Sequence, residues 1–164
     1  MTNQKEIILI GAGGHAHACI EVVALGQICT PKQRIKLYSA AIEAGFELPV
    51  IIDPSARVSN HATIQKGVII MQQAIVNAGA IVGENCIVNT KALIEHDVIV
   101  KRHCHISTGA ILNGNVRVGE SCFVGSGAIV KQGVSLGEKS VIGMGVSVRH
   151  DIKENVQYLG IKQA

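Results

Sequence analysis

From Ile52 to Val148 the chain advances in steps of six, and each step lands on Ile, Val or Leu: Ile52, Val58, Ile64 and Ile70 at one end, Val130, Leu136, Ile142 and Val148 at the other. No insertion breaks the step. Four residues after each landing comes a small or β-branched residue, such as Ala56, Ala62, Val68, Ala74, Cys86, Cys104, Cys122, Ser140 and Ile152. The small residue precedes the next landing by two positions, so in an extended segment both face the same side. The residue between them, such as Arg57, Arg117 or Ser147, faces the other side. The remaining positions collect Gly, Asn, Asp and Ser, as in Gly83-Glu84-Asn85 and Gly119-Glu120-Ser121, residues that tolerate the dihedrals of a corner. Short strand, corner, short strand predicts a parallel β-helix. The spacing of three or four that marks an amphipathic helix is absent.

The flanks read differently. Glu6-Ile7-Ile8-Leu9-Ile10 has the form of a buried strand, Gly11-Ala12-Gly13-Gly14-His15 follows as a turn, and Ala16 to Ala24 continues as a helix. Strand, glycine turn and helix open a nucleotide-binding βα unit, whose helix N-terminus attracts phosphate. The full dinucleotide fingerprint would need Gly where Ala16 stands and an acidic residue ~20 positions later, so from these residues alone tight packing of the turn is the favoured reading over ligand binding. A second helix is predicted over Pro31 to Ala44 and a strand over Glu47 to Ile51, before Asp53-Pro54 punctuates the join to the repeats. This gives a truncated Rossmann-like α/β unit over 1–51 and a β-helix over 52–152, whose coil ends near Asp151. The tail, 153–164, carries Tyr158-Leu159-Gly160-Ile161 and is expected to cap the coil or lie along it.

Composition narrows the function classes. The chain is 48% hydrophobic but 2% aromatic, with no Trp, which suits a narrow solenoid interior with room only for small and branched side chains. The net charge of +3 is scattered along the chain, without the basic stripe that nucleic acid requires. No apolar run approaches the ~20 residues of a membrane helix, so no membrane insertion is expected. Met1 to Glu6 resembles no signal peptide, and five Cys without a CxxC spacing read as reduced thiols, which together predict a cytoplasmic protein.

With three hexads per coil, residues eighteen apart stack in columns at about 4.8 Å. Cys86, Cys104 and Cys122 share an inward column, where Cys serves as a small apolar filler. His96 and Asp97 share a corner whose column neighbours are Ala78-Gly79 and Gly114-Asn115, so small residues leave a notch around the imidazole. An imidazole beside a carboxylate suits a general base near neutral pH; a solvated corner histidine is the alternative. Thr108, Ser126 and Met144 form another corner column, flanked by Gly125, Gly127, Gly143 and Gly145. Such a row makes a groove along the helix axis for a long, thin ligand, unless the glycines merely form corners. His61, His103, His105 and His150 raise a metal site, but His96 and His105 are half a coil apart and could share a ligand only across an interface between subunits. No metal is expected.

The glycine turn ahead of Asp53-Pro54-Ser55-Ala56, with Val88-Asn89-Thr90, Ile94-Glu95-His96-Asp97, His105-Ile106-Ser107 and Gly114-Asn115-Val116, resembles the bacterial hexapeptide-repeat sugar acyltransferases. That group includes sialic-acid O-acetyltransferases and N-acetyltransferases acting on UDP-4-amino sugars. The resemblance implies a left-handed β-helix, a homotrimer with active sites between subunits, and acetyl-CoA as co-substrate for transfer to an amine or hydroxyl of a sugar used in surface glycans. It implies His96 as the general base with Asp97 supporting it. His105, Ser126 and Met144 would meet acetyl-CoA, while Asn89, Gly13, Gly14 and His15 would meet the acceptor sugar. Members carry a longer stretch after the first helix, supplying another strand, an acidic pair and a further glycine turn. Here Gly26-Gln27 passes almost directly to Thr30-Pro31-Lys32. Two alternatives follow: a member with an incomplete nucleotide-sugar site, non-catalytic or shifted in substrate, and a metal-dependent hydratase of the carbonic anhydrase type on the same solenoid.

Overall fold

A computed structural model describes residues 30–160; the strand, turn and helix expected over residues 6–24, with Gly13, Gly14 and His15, lie outside them. The described chain is one helix, α1 (Lys32–Glu43), and eighteen two-residue strands, from β1 (Ile51–Ile52) to β18 (Gln157–Tyr158) in chain order. The strands form three parallel sheets of seven, six and five strands, the faces of a β-solenoid of about six turns. β1 starts the seven-stranded first face, β2 (Arg57–Val58) the second and β3 (Thr63–Ile64) the third. Pairing joins residues eighteen apart, as Ile51 with Ile69 and His105 with Phe123.

The hexad explains this architecture. Landings and small residues point inward and are fully buried in the middle turns, from Val68 and Ile70 through Ile94, Val98 and Ile106 to Ile142. Dry interior columns of Val, Ile, Leu and Ala leave only backbone polar groups to satisfy, and each rung satisfies them on the next, as where Arg117 N–H donates to the Val134 carbonyl at 3.0 Å. The three column cysteines are free thiols, and each donates to a carbonyl of the following coil: Cys86 to Lys101, Cys104 to Gly119 and Cys122 to Gly137, at 3.0–3.1 Å. Burial pushes the Cys104 thiol well up, which keeps it in the protonated form that donates.

Helix α1 falls within one residue of the expected bounds at each end. Gly45, at φ +82°, ends it: Gly45 N–H donates to Ile42 and Phe46 N–H to Ala41, at 2.9 and 3.0 Å, closing the last turn. The expected strand over Glu47 to Ile51 is absent as such. Residues 47–50 have no regular structure, because Pro49 has no N–H to donate; Ile51 instead begins the first rung, with its N–H on the Val68 carbonyl at 2.9 Å. The helix docks on the corner column that leads from the third face back to the first. Arg34, buried, donates to the His103 carbonyl at 2.8 Å, and Tyr38 donates to the Glu84 carboxylate at 2.9 Å while its ring meets the His103 ring edge-on at 5.6 Å. Burial and the Glu84 carboxylate push the Tyr38 phenol up to about 12. Gly67 leaves room for this ring, since a Cβ there would lie 3.1 Å from Tyr38 Cε2.

The coil does not end near Asp151. After Val148 the chain cuts a corner by two residues, so Ile152 stands beside Leu136 in a landing column instead of taking the small-residue position expected of it. The Ser135 N–H, which would otherwise meet a backbone carbonyl, donates to the Asp151 carboxylate at 2.8 Å. From Ile152 the step of six resumes, and Tyr158 lands beside Ile142. The tail segment Lys153–Gly160 therefore continues the coil onto the first face.

Two outcomes follow. Asp151→Ala leaves the Ser135 N–H without its carboxylate and is expected to cost about 1 kcal/mol, read as a lower urea midpoint. Burial, then the Arg34 guanidinium, lower the His103 imidazole below its ordinary value. Below about pH 6.5 the unfolded chain then binds more protons than the folded one, so the stability owed to neutral His103 is complete above that pH and is lost as pH falls toward the folded value. The fall in urea midpoint between about pH 7.5 and about pH 5.5 should be smaller in His103→Gln than in the wild type.

Candidate active site

The corner after β8 (Leu93–Ile94) carries His96 and Asp97 between two fully buried anchors, Ile94 and Val98. The ladder pins it on both sides. Asp97 N–H donates to the Ala78 carbonyl at 3.1 Å, and the His96 carbonyl accepts from Asn115 N–H at 3.0 Å. Asp97 sits at φ +59°, a left-handed conformation that Asp tolerates better than most residues, and this turns its carboxylate back toward the imidazole. His96 Nδ1 lies 2.9 Å from Asp97 Oδ2. A carboxylate accepts, so the neutral ring carries its proton on Nδ1 and keeps its lone pair on Nε2. The two side chains remain 54% and 60% exposed.

The notch expected around them is present. A Cβ on Gly114 would lie 2.5 Å from His96 Nε2, and one on Gly79 would overlap Asp97 Oδ1. Glu95, one position earlier, is half-buried and accepts from Asn77 Nδ2 at 2.9 Å. That pair was open to discovery by the column rule, because Asn77 and Glu95 are eighteen apart.

The corner between the first and second faces carries a different group. In β10 (His105–Ile106) the His105 ring is 4% exposed, lies edge-on to Phe123 at 5.3 Å, and has its Nε2 3.1 Å from Asn89 Nδ2. Asn89 is buried, and its Oδ1 accepts from Thr90 N–H at 2.7 Å, so both ends of its amide are engaged within the chain. Ser107 Oγ lies 2.9 Å from Ser126 Oγ, a buried partner that the sequence reading did not single out. Ser126 and Met144 are both exposed, Met144 to 80%. Gly109, Gly127 and Gly145 stack beside them at φ +64°, +66° and +66°, and a Cβ on any of them would meet nothing within 4 Å. The result is an open strip of bare backbone along the coil, at the column where a groove was expected. Gly125 has another role: a Cβ there would lie 2.7 Å from the Gly143–Met144 backbone, so it permits the corners to stack.

The structure thus joins His96 with Asp97, Asn89 with His105, and Ser126 with Ser107. It does not bring His96 to His105, which occupy a corner and a face half a coil apart. The other candidate histidines are dispersed: the His61 carbonyl accepts from Gly79 N–H, His103 receives α1, and His150 packs edge-on against Tyr158 at 5.6 Å. Among the described residues no group of three or more His, Cys, Asp and Glu is disposed to hold a metal ion. No described helix is long and apolar enough to cross a membrane.

Residues 115–149 match the hexapeptide repeat of succinyl-transferase. PerB of Caulobacter crescentus, solved with CoA and GDP-perosamine, superposes with a TM-score of 0.76 at 34% identity over 79% of this chain and 64% of its own. The acetyltransferase domain of PglB from Neisseria gonorrhoeae, solved with acetyl coenzyme A, superposes with a TM-score of 0.75 at 37% identity over 77% of this chain and 62% of its own. WeeI from Acinetobacter baumannii shares the fold at 18% identity, with a TM-score of 0.73. The chain therefore spans less than two thirds of the PerB and PglB structures. No curated protein sequence matches it.

Gly114→Ala tests the notch. The new methyl meets only the far end of an exposed side chain, so stability should change by no more than about 0.5 kcal/mol. The His96 ring should move, seen as a displacement of its NMR signals; an unmoved ring would mean that Gly114 does not shape the site.

Proposed function

Because this chain belongs to the hexapeptide-repeat acetyltransferase family, we propose that it transfers the acetyl group of acetyl-CoA to the amine of a nucleotide-linked amino sugar for glycan assembly. The observation that carries this reading is His96 held by Asp97 in a notch cleared by Gly79 and Gly114, with its side chain 54% exposed. The acceptor amine attacks the thioester carbonyl as neutral nitrogen. As the new N–C bond forms, Nε2 of His96 takes the proton that the nitrogen must lose. Asp97 supports the imidazolium so produced, and the C–S bond then breaks to release CoA thiolate, which regains a proton. No covalent enzyme intermediate is needed, which agrees with the burial of all three column cysteines. The developing oxyanion calls for a donor, supplied by His105 or a bare backbone amide.

The open strip beside Gly109, Gly127 and Gly145, with Ser126 and Met144 at its rim, fits the long chain of acetyl-CoA. The half-coil separation of His96 and His105 supports a homotrimer, in which one subunit lays its base against the neighbour's groove. We take the solenoid as left-handed, as the family resemblance implies. We take residues 1–51, with Gly13, Gly14 and His15, as the truncated Rossmann-like unit that holds the acceptor, and the coil from residue 52 onward, which runs on through Tyr158, as the acyltransferase unit. GDP-perosamine in PerB supports a nucleotide-linked amino sugar over a free sialic acid.

The test is release of free CoA thiol from acetyl-CoA with a panel of nucleotide-linked amino sugars and free sialic acids. Release with one acceptor, reduced ~10²–10⁴-fold in kcat by His96→Ala, is the expected result. A fully active His96→Ala variant would remove the general-base mechanism, and silence across the panel would point to the non-catalytic alternative.

A further inference from the structure

We infer that Lys131 and Arg149 hold the diphosphate of acetyl-CoA, an assignment that rests on the acetyltransferase reading. Both stand on the corner that carries His96. Pairing of Leu93 with Ile111, Ile111 with Ile129 and Ile129 with Ser147 fixes the register. Glu95, Asn113, Lys131 and Arg149 therefore stack in one column beside the base. This column turns from acidic to basic as it climbs. Glu95 accepts from Asn77 on the rung below at 2.9 Å, and Asn113 spends its amide on the Val130 carbonyl at 2.7 Å. The first Lys or Arg above the base on this corner is Lys131, then Arg149, and both are exposed.

The corner between the third and first faces shows how the coil treats cations elsewhere. There Lys66 meets Glu84 at 3.5 Å, Arg102 meets Glu120 at 2.8 Å and Lys101 meets Glu138 at 3.0 Å. Lys131 and Arg149 make no ion pair among the described residues. Asp151, the carboxylate nearest along the chain, already accepts from Ser135 N–H at 2.8 Å. Among the described residues, this is also the one column in which Lys or Arg fills two adjacent rungs. Like charges about 4.8 Å apart repel, and an anion shared between them turns repulsion into attraction.

Distance selects the anion. Lys131 and Arg149 lie two and three rungs above Glu95, roughly 10 and 14 Å at the usual strand spacing. The arm of CoA from the thioester sulfur to the first phosphate has about thirteen bonds and spans roughly 15 Å, at the reach per bond of an extended backbone. The open strip beside Ser126 and Met144 climbs in the same direction. With the thioester at His96 and the arm along the coil, the diphosphate comes level with Arg149. A guanidinium can then take phosphate oxygens through paired N–H donors, with the Lys131 ammonium as a second charge.

Calorimetric titration of the full chain with CoA, dephospho-CoA, pantetheine and UDP tests this without any turnover. Lys131→Gln/Arg149→Gln should weaken CoA and dephospho-CoA about 10–100-fold, the loss of one to two charge-assisted contacts. Pantetheine, which carries no phosphate, and UDP should each change by less than about twofold. Lys139→Gln, which removes an exposed cation from another corner, should leave all four unchanged. An equal loss in Lys139→Gln, or an equal loss for pantetheine, would overturn the assignment. Dephospho-CoA unaffected where CoA is weakened would move the contact to the 3′-phosphate, and a loss confined to UDP would give the cations to the acceptor nucleotide; either overturns it. Wild-type protein that binds CoA no better than the double variant overturns this assignment alone. Wild-type protein that binds no CoA overturns the acetyltransferase reading and the assignment with it.

Discussion

The interaction on which everything else rests is the backbone hydrogen bond between successive coils. Up to Val148 the two-residue strands pair with strands eighteen residues away, and this repeated register leaves no freedom in which corner lies beside which. Because the interior columns are small or branched and, Ser140 aside, apolar, a slip of one residue would turn the landings out into solvent and the polar corners into the core. The register is thus specified at every rung, and rigidity at the corners is its by-product. Side chains that must hold a fixed geometry are well served by such corners, since neighbouring rungs leave them little room to wander.

Glycine and the left-handed corner residues convert that rigidity into chemistry. Asp97 sits at a positive φ that brings its carboxylate to the imidazole of the preceding residue, while Gly79 and Gly114 clear the space above and below. On the other corner, three stacked glycines at positive φ expose backbone where a side chain would otherwise stand. Histidines on the same solenoid differ according to what the stack places beside them. His96 faces a carboxylate, His105 faces an amide, and His103 lies beneath α1, where burial and Arg34 hold it in the neutral form.

Much of this was legible in the sequence. The step of six predicted the solenoid, and counting by eighteen placed Gly79 and Gly114 around His96, lined up Ser126 with Met144, and set His96 and His105 on different sides. The tail misled the count because a corner shortened by two residues leaves no mark in composition: Ile152 is equally apolar in either column, and only its pairing with Leu136 shows which it occupies. The strand expected over Glu47 to Ile51 survives only at Ile51, because apolar residues there suit a strand but Pro49 has no N–H to give a ladder.

By itself, then, the sequence determined the period, the inward and outward sides, the corners and the columns, because a repeat with uniform backbone pairing translates residue number directly into position. Tertiary structure alone decided what departs from that period: the docking of α1 on Glu84 and His103, the Asp151 carboxylate standing in for a missing carbonyl, and the Asn89 amide facing His105. Asn89 and His105 are sixteen residues apart and their meeting depends on which way two side chains turn at the edge of a face. That is settled by hydrogen-bond geometry and local packing, which no periodicity encodes.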